Sequence, residues 1–158
     1  MVASTSHRGR KSEAESLSGK LTWKEFETFS ALAFSSLGFK TKVNFRLRRP
    51  RAEIDLVASK NRFAFAVDCK HWKRTVGHAT MINISDRQIN RAKRLVEAGS
   101  SFARVMPVIL TWHDESLHIL ENGVPIVPIH KVSDFILNWE ESADRITIVK
   151  SDSGGFRF

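Results

Sequence analysis

Residues 63–70, Phe-Ala-Phe-Ala-Val-Asp-Cys-Lys, run apolar for five residues and then end on an acid and a base around a cysteine. Side chains alternate across a strand with period two, so Phe63, Phe65, Val67 and Cys69 share one face and must be core. Asp68 and Lys70 share the other face. Residues 53–58 (EIDLVA) are also strand-like, with Ile54, Leu56 and Ala58 on the apolar side and Glu53, Asp55 and Val57 opposite. Only Ser59-Lys60-Asn61-Arg62 joins the two strands, and a connection that short favours an antiparallel hairpin. The hairpin brings Asp55 beside Asp68 on the non-core face.

The rest of the chain supplies layers for that hairpin. Thr22 and Glu25 have the T-x-x-E spacing of a capping box, and a helix is predicted over 22–37. Trp23, Phe26, Ala33 and Leu37 form its apolar stripe with Phe29 on the same side, and Gly38 is its left-handed stop. Residues 40–47 alternate basic and apolar, and Arg48-Arg49-Pro50-Arg51 breaks the strand. Residues 71–84 read as polar and irregular. Ser85 and Gln88 suggest a second capping box, opening a basic helix over 86–98 that ends at Gly99. A buried strand follows at 104–112. Residues 117–120 and 124–129 form a hairpin about Asn122-Gly123. A short helix covers 132–139 and an edge strand 146–149. The expected fold is therefore α/β: an α-β-β-β-α-β core with a mixed central sheet flanked by helices, plus a C-terminal β-β-α-β extension.

At 158 residues the chain suits one domain, over 21–150, with a mobile N-terminal tail at 1–20 and a C-terminal tail at 151–158. A core of that size needs neither disulfide nor structural metal. The single cysteine, Cys69, excludes an intramolecular disulfide and a CxxC zinc knuckle. No apolar run reaches the ~20 residues of a membrane span, and the N-terminus lacks the apolar stretch of a secretory signal, so a cytoplasmic protein is expected. Lys and Arg number 25 against 17 Asp and Glu, a net charge of +8. Such an excess suits a polyanion, of which nucleic acid is the commonest.

Two carboxylates near a lysine at a strand end allow two readings. One is a structural ion pair of Lys70 with Asp55 or Asp68. The other is the site of a Mg²⁺-dependent phosphodiesterase, in which carboxylate oxygens hold a hard cation and an ammonium serves the attacking water or the developing charge. Asp68-Cys69-Lys70 is the only [DE]-x-K triplet in the chain.

The spacing D-x12-D-x-K, behind an acid-bearing helix and a basic strand, resembles the PD-(D/E)xK nuclease superfamily. The text W-K-E-F-E-T-F-S-A-L-A-F-S-S-L-G-F-K is similar to the opening of archaeal Holliday junction resolvases and of the nuclease domain of type IV, methylation-dependent restriction endonucleases. The resemblance covers about residues 22–112 and implies a restriction-endonuclease-like fold. It implies Glu27, which lies eleven residues before Gly38, together with Asp55, Asp68 and Lys70, as catalytic residues. It implies Mg²⁺ or Mn²⁺ as cofactor, held by Glu27, Asp55, Asp68 and the backbone carbonyl of Cys69. Gln88 resembles an auxiliary polar residue of some members. The sequence departs from the pattern where Ile54 precedes the first-strand acid in place of Pro or Gly, and where Leu47–Ala52 replaces a glycine-rich loop.

Residues 40–51 hold six Lys and Arg and no acid. Lys42, Arg46, Arg48, Arg49 and Arg51, with Lys73 and Arg74 after the catalytic strand and Arg87 and Arg91 on the second helix, are the expected DNA contacts. Trp72 either packs on the hairpin or stacks at a distorted junction. The expected activity is endonucleolytic cleavage of branched or distorted DNA by a homodimer, as in junction resolution and repair. The alternatives are a type IV restriction-like nuclease subunit and a non-catalytic DNA-binding protein of the same fold.

Overall fold

The structure is a computed structural model, and it describes residues 22–72, 76–98, 101–112 and 116–152. The expected tails, residues 1–20 and most of 151–158, and the candidates Lys73 and Arg74 lie outside the described residues. Helix α1, Trp23–Ser36, is followed by strands β1 (Lys40–Leu47), β2 (Ala52–Lys60) and β3 (Phe63–Lys70). Helix α2 (His78–Glu97) and strands β4 (Arg104–Thr111), β5 (His118–Ile119) and β6 (Pro125–Pro128) come next. A short helix α3 (Val132–Asn138) and strand β7 (Val149–Lys150) complete the order. The seven strands form one mixed sheet in the order β1-β2-β3-β4-β6-β5, with β7 also on β4. The β1–β2 and β2–β3 pairs are antiparallel, and β3–β4 and β4–β6 are parallel.

Local chemistry explains the first helix. The Thr22 hydroxyl accepts from Glu25 N–H, and the Glu25 carboxylate accepts from Thr22 N–H. Gly38, at φ +90°, ends the helix. Phe39 N–H donates to Phe34 O and Gly38 N–H to Ser35 O, a Schellman closure whose hydrophobic clasp is the Phe34–Phe39 edge contact. The buried stripe is Phe26, Ser30 and Phe34. Trp23 and Phe29, expected on the core side, flank it and are 43% and 54% exposed.

The sheet is covered on both faces. Phe26 and Phe34 of α1 and Phe135 of α3 pack with Phe65, Val67, Cys69 and Met106. On the other face, Ala92 and Leu95 of α2 cover Val57, Ala64, Ala66 and Val105, and Met81 covers Ile109 and Ile126. All of β3 except Lys70 is therefore buried, not one face of it alone.

Three expectations are corrected. Helix α2 begins at His78, behind Gly77, eight residues before the expected start. Ser85 is buried mid-helix, and Gln88 donates its amide to Ala66 O at 2.8 Å, so neither is a cap. Residues 78–84, expected to be irregular, form a helix whose apolar side, Met81, Ile82 and Ile84, meets the sheet. Second, Ile54 packs beside Val57 on the α2 side, although period two puts them on opposite faces. The break lies where Asn44, at φ +54°, faces Asp55 between the pairs Val43–Leu56 and Phe45–Ile54. Third, the last strand is Val149–Lys150, and it pairs with Arg104 and Val105 of β4.

Candidate active site

Antiparallel pairing places the beginning of β2 beside the end of β3, and Leu56 faces Val67. One residue further out in the same register, Asp55 and Asp68 stand opposite each other, close enough for each charge to act on the other. Asp55 Oδ2 also accepts the backbone N–H of Cys69 at 2.9 Å, which fixes its carboxylate against β3. Asp68 is buried, and its Oδ2 is ion-paired with Lys70 Nζ at 3.1 Å, with no further polar partner. Lys70 Nζ lies 5.9 Å from the ring centre of Trp23, at the start of α1. Trp23 Nε1 donates to Glu27 Oε1 at 2.6 Å, and Glu27 is 5% exposed. The first turn of α1 and the ends of two strands thus bring Glu27, Asp55, Asp68 and Lys70 to one end of the sheet.

The electrostatics are those of crowded anions. Burial, the hydrogen bond with Asp68, and the charges of Asp68 and Glu27 push the Asp55 carboxyl up to about 7, against a smaller opposing pull from the Cys69 N–H. Burial also raises Glu27, helped by Glu53 and opposed by the Trp23 hydrogen bond and Lys24. Burial above all, with the nearby acids, raises the Cys69 thiol well above its usual range, so it is a core group and no nucleophile. Among the described residues no three acid, histidine or cysteine side chains converge as a ready metal cage. Asp55 and Asp68 occupy facing positions of β2 and β3, while the Glu27 carboxylate accepts from Trp23. The oxygen donors nonetheless suit a hard cation, with Asp68 Oδ2 engaged by the Lys70 ammonium alone.

The candidate DNA residues fall in several places. Arg48, Arg49 and Arg51 are exposed in the β1–β2 turn, at the same end of the sheet as Asp55 and Lys70. Arg94 donates to Pro50 O and ties α2 to this turn. Arg46 lies 4.0 Å from Glu53 at the surface. Arg91 donates to Gln88 Oε1 at 3.1 Å, and Arg87 and Lys42 are exposed. Trp72 packs against the Met81 and Ile109 cluster. Trp23 was missed as a site residue. Its four-residue spacing to Glu27 was the available signal, because residues four apart meet on a helix. His71 Nε2 and Thr111 Oγ1 are buried without partners just beyond the acids in the chain and across from Lys70, respectively.

A mixed sheet between helices, with D-x12-D-x-K at the hairpin and an acid on the preceding helix, defines a restriction-endonuclease-like nuclease domain. Residues 18–95 match the family model Mrr_cat, described as restriction endonuclease, and Glu27, Asp55, Asp68 and Lys70 lie within that stretch. That match, over just under half of the chain, supports the PD-(D/E)xK nuclease superfamily. No curated protein matches the chain. Among solved structures, the protein of unknown function AF1548 aligns at 22% identity over 58% of this chain and 48% of its own, with a TM-score of 0.44. The chain thus spans about half the length of that protein. The small subunit, R.BspD6I2, of the heterodimeric restriction endonuclease R.BspD6I aligns at 14% identity over 77% of this chain and 72% of its own, also with a TM-score of 0.44. A nuclease domain implies contact with DNA. No helix among the described residues is long and apolar enough to cross a membrane.

Proposed function

We propose that this chain is a divalent-cation-dependent DNA endonuclease whose catalytic residues are Glu27, Asp55, Asp68 and Lys70. The observation that carries the reading is the pair of carboxylates, Asp55 and Asp68, at facing strand positions, with an ammonium 3.1 Å from one of them. An isolated structural ion pair needs only one acid. A second acid, with its pKa pushed up to about 7, is an electrostatic cost that a cation would remove.

Asp55, Asp68 and the Cys69 carbonyl would hold Mg²⁺ or Mn²⁺, with Glu27 the further acid at the rim. Bound there, the cation would neutralise charge on the scissile phosphate and acidify a water. Lys70 positions that water or stabilises the developing negative charge from beside Asp68. The Cys69 N–H keeps Asp55 oriented, and Trp23 does the same for Glu27. The arginine turn at 48–51 contacts phosphates on either side of the cut.

Branched or distorted DNA is the proposed substrate, by the likeness of the first helix to junction resolvases. A homodimer would then supply the two cuts of a symmetric junction. The match over residues 18–95 favours a second reading, the nuclease part of a restriction enzyme that acts on linear or methylated duplex. A cleavage panel separates them: four-way junction, flap, single strand, linear duplex and methylated duplex, each with Mg²⁺ or Mn²⁺. Preferential cutting of the junction supports the first reading, and of methylated duplex the second. Metal-dependent binding without cutting on every substrate would leave only a DNA-binding protein of this fold.

A further inference from the structure

The end of the sheet away from the acids carries a second feature. Here β1 begins, β2 ends and β3 begins, about 23 Å from Lys70 along β3 at 3.3 Å per residue. A cleft of about 600 Å³ opens there. Lys40, Lys42, Lys60 and Arg62 line it, with Phe45 and Phe102, and no carboxylate does so among the described residues. The three lysines and Arg62 are exposed, and both phenylalanines are partly exposed. Arg62 Nε donates to Ser101 O at 3.3 Å, which anchors the wall that carries Phe102. Lys42 Nζ lies 5.3 Å from the Phe45 ring centre.

Four cations unpaired with acid at the cleft would repel one another, and a polyanion relieves that repulsion. Concavity decides which polyanion. A duplex presents its phosphates on a convex surface, while a single strand can lower its backbone between lysines and lay a base on an aromatic face. The volume accommodates a nucleotide. We infer that this cleft is a secondary nucleic-acid site that holds an unpaired segment of the substrate strand, Lys40, Lys42 and Lys60 on its phosphates and Phe102 under a base. The inference rests on the nuclease reading for its choice of DNA. It adds that reading's missing element, a means of preferring DNA with an unpaired portion.

The test compares two DNAs, a blunt duplex and the same duplex with a single-stranded extension of about eight nucleotides, a length within single-strand site sizes. Binding is measured by fluorescence anisotropy in EDTA, for the unaltered protein and for Lys40→Ala/Lys60→Ala and Phe102→Leu, with thermal melts to confirm folding. Leu keeps the apolar packing of residue 102 and removes its ring. The extension should tighten binding by the unaltered protein about tenfold, the scale of one stacked base. Phe102→Leu should lose most of that gain, and the double lysine variant should also flatten the salt dependence for the extended DNA by about 1.4. Blunt-duplex affinity should change far less in both. No gain from the extension in the unaltered protein, or equal weakening of both DNAs in the variants, overturns the inference. The two readings fail separately: normal extension binding with no cleavage of any DNA in Mg²⁺ or Mn²⁺ refutes the nuclease and leaves the cleft.

Discussion

Asp55→Asn should stabilise the protein without metal, and only above acidic pH. In the folded chain the Asp55 carboxyl is pushed from an ordinary 3.8 up to about 7, while in the unfolded chain it returns to the ordinary value. The folded state therefore binds the extra proton between those two values. Stability carried by that proton is intact below pH 3.8, falls as pH rises, and is fully lost above about 7. At about 1.4 kcal/mol per pH unit the full loss is about 4 kcal/mol. Water still reaches part of Asp55, which brings the expected figure to about 2–4 kcal/mol. Asparagine keeps an oxygen for the Cys69 N–H and turns an N–H toward Asp68, so it removes the repulsion without orphaning either partner. Thermal unfolding in EDTA should then show Asp55→Asn melting roughly 5–12 °C above the unaltered chain at pH 8, with the gap closing toward pH 4. Saturating Mg²⁺ should narrow or invert the gap at pH 8, because only the unaltered chain offers both charges to the ion. A variant less stable than the unaltered chain at pH 8 in EDTA, or a gap of equal size at pH 4 and pH 8, would refute the reasoning.

Asp68→Asn should weaken metal binding in calorimetry and abolish cleavage, while Lys70→Ala should bind metal nearly normally and still fail in single-turnover cleavage; full, metal-dependent cleavage by Asp68→Asn rejects the site. Replacing Arg48, Arg49 and Arg51 by Ala should weaken binding to every DNA and flatten the salt slope by up to about three, and unchanged affinity at moderate salt removes this turn from the interface. Trp23→Phe removes the N–H that holds the Glu27 pKa down, so the acid limb of the pH–rate profile should move to higher pH, and an unmoved limb means Glu27 does not titrate with activity. Gly123→Ala should cost about 2 kcal/mol or more by chemical denaturation, since residue 123 sits at φ +84° and a methyl there would lie 2.7 Å from Thr147 N; a variant of unaltered midpoint would show that the turn relaxes freely.

What could be read from the residues was whatever local chemistry decides. The Thr22–Glu25 box, the Gly38 stop and the bounds of β1 and β3 depend on neighbours in the chain, and each stands in the structure as expected. Helix α2 shows where that reasoning stops. Its first two turns, His78–Ile84, open behind Gly77 with no side-chain cap to announce them, and they are held in place as Met81 packs on β4 and β6. Ser85 and Gln88 then looked like a cap, because S-x-x-Q is the same text at a helix start and inside one. Only the sheet reveals the difference: Gln88 is buried and spends its amide on Ala66 O.

The candidate site shows the same division. Period two correctly placed Asp68 and Lys70 together, and it brought Asp55 near them by an incomplete argument. It treated β2 as evenly pleated, yet Ile54 and Val57 share a cluster, and the break coincides with the left-handed Asn44 opposite Asp55. Parity along a strand holds only while every residue is extended, and a single αL residue on the partner strand is enough to end it. What holds Asp55 to Asp68 is instead the Cys69 N–H, a backbone group that no pattern of side chains announces. The same hydrogen bond pulls the Asp55 carboxyl down while burial and Asp68 push it up, and the push wins. An acid kept in place by a strand amide, beside a second acid and against its own electrostatics, fits the proposed cation site. That excess of negative charge, more than the triplet Asp68-Cys69-Lys70 by itself, is the physical ground for expecting a cation at this end of the sheet.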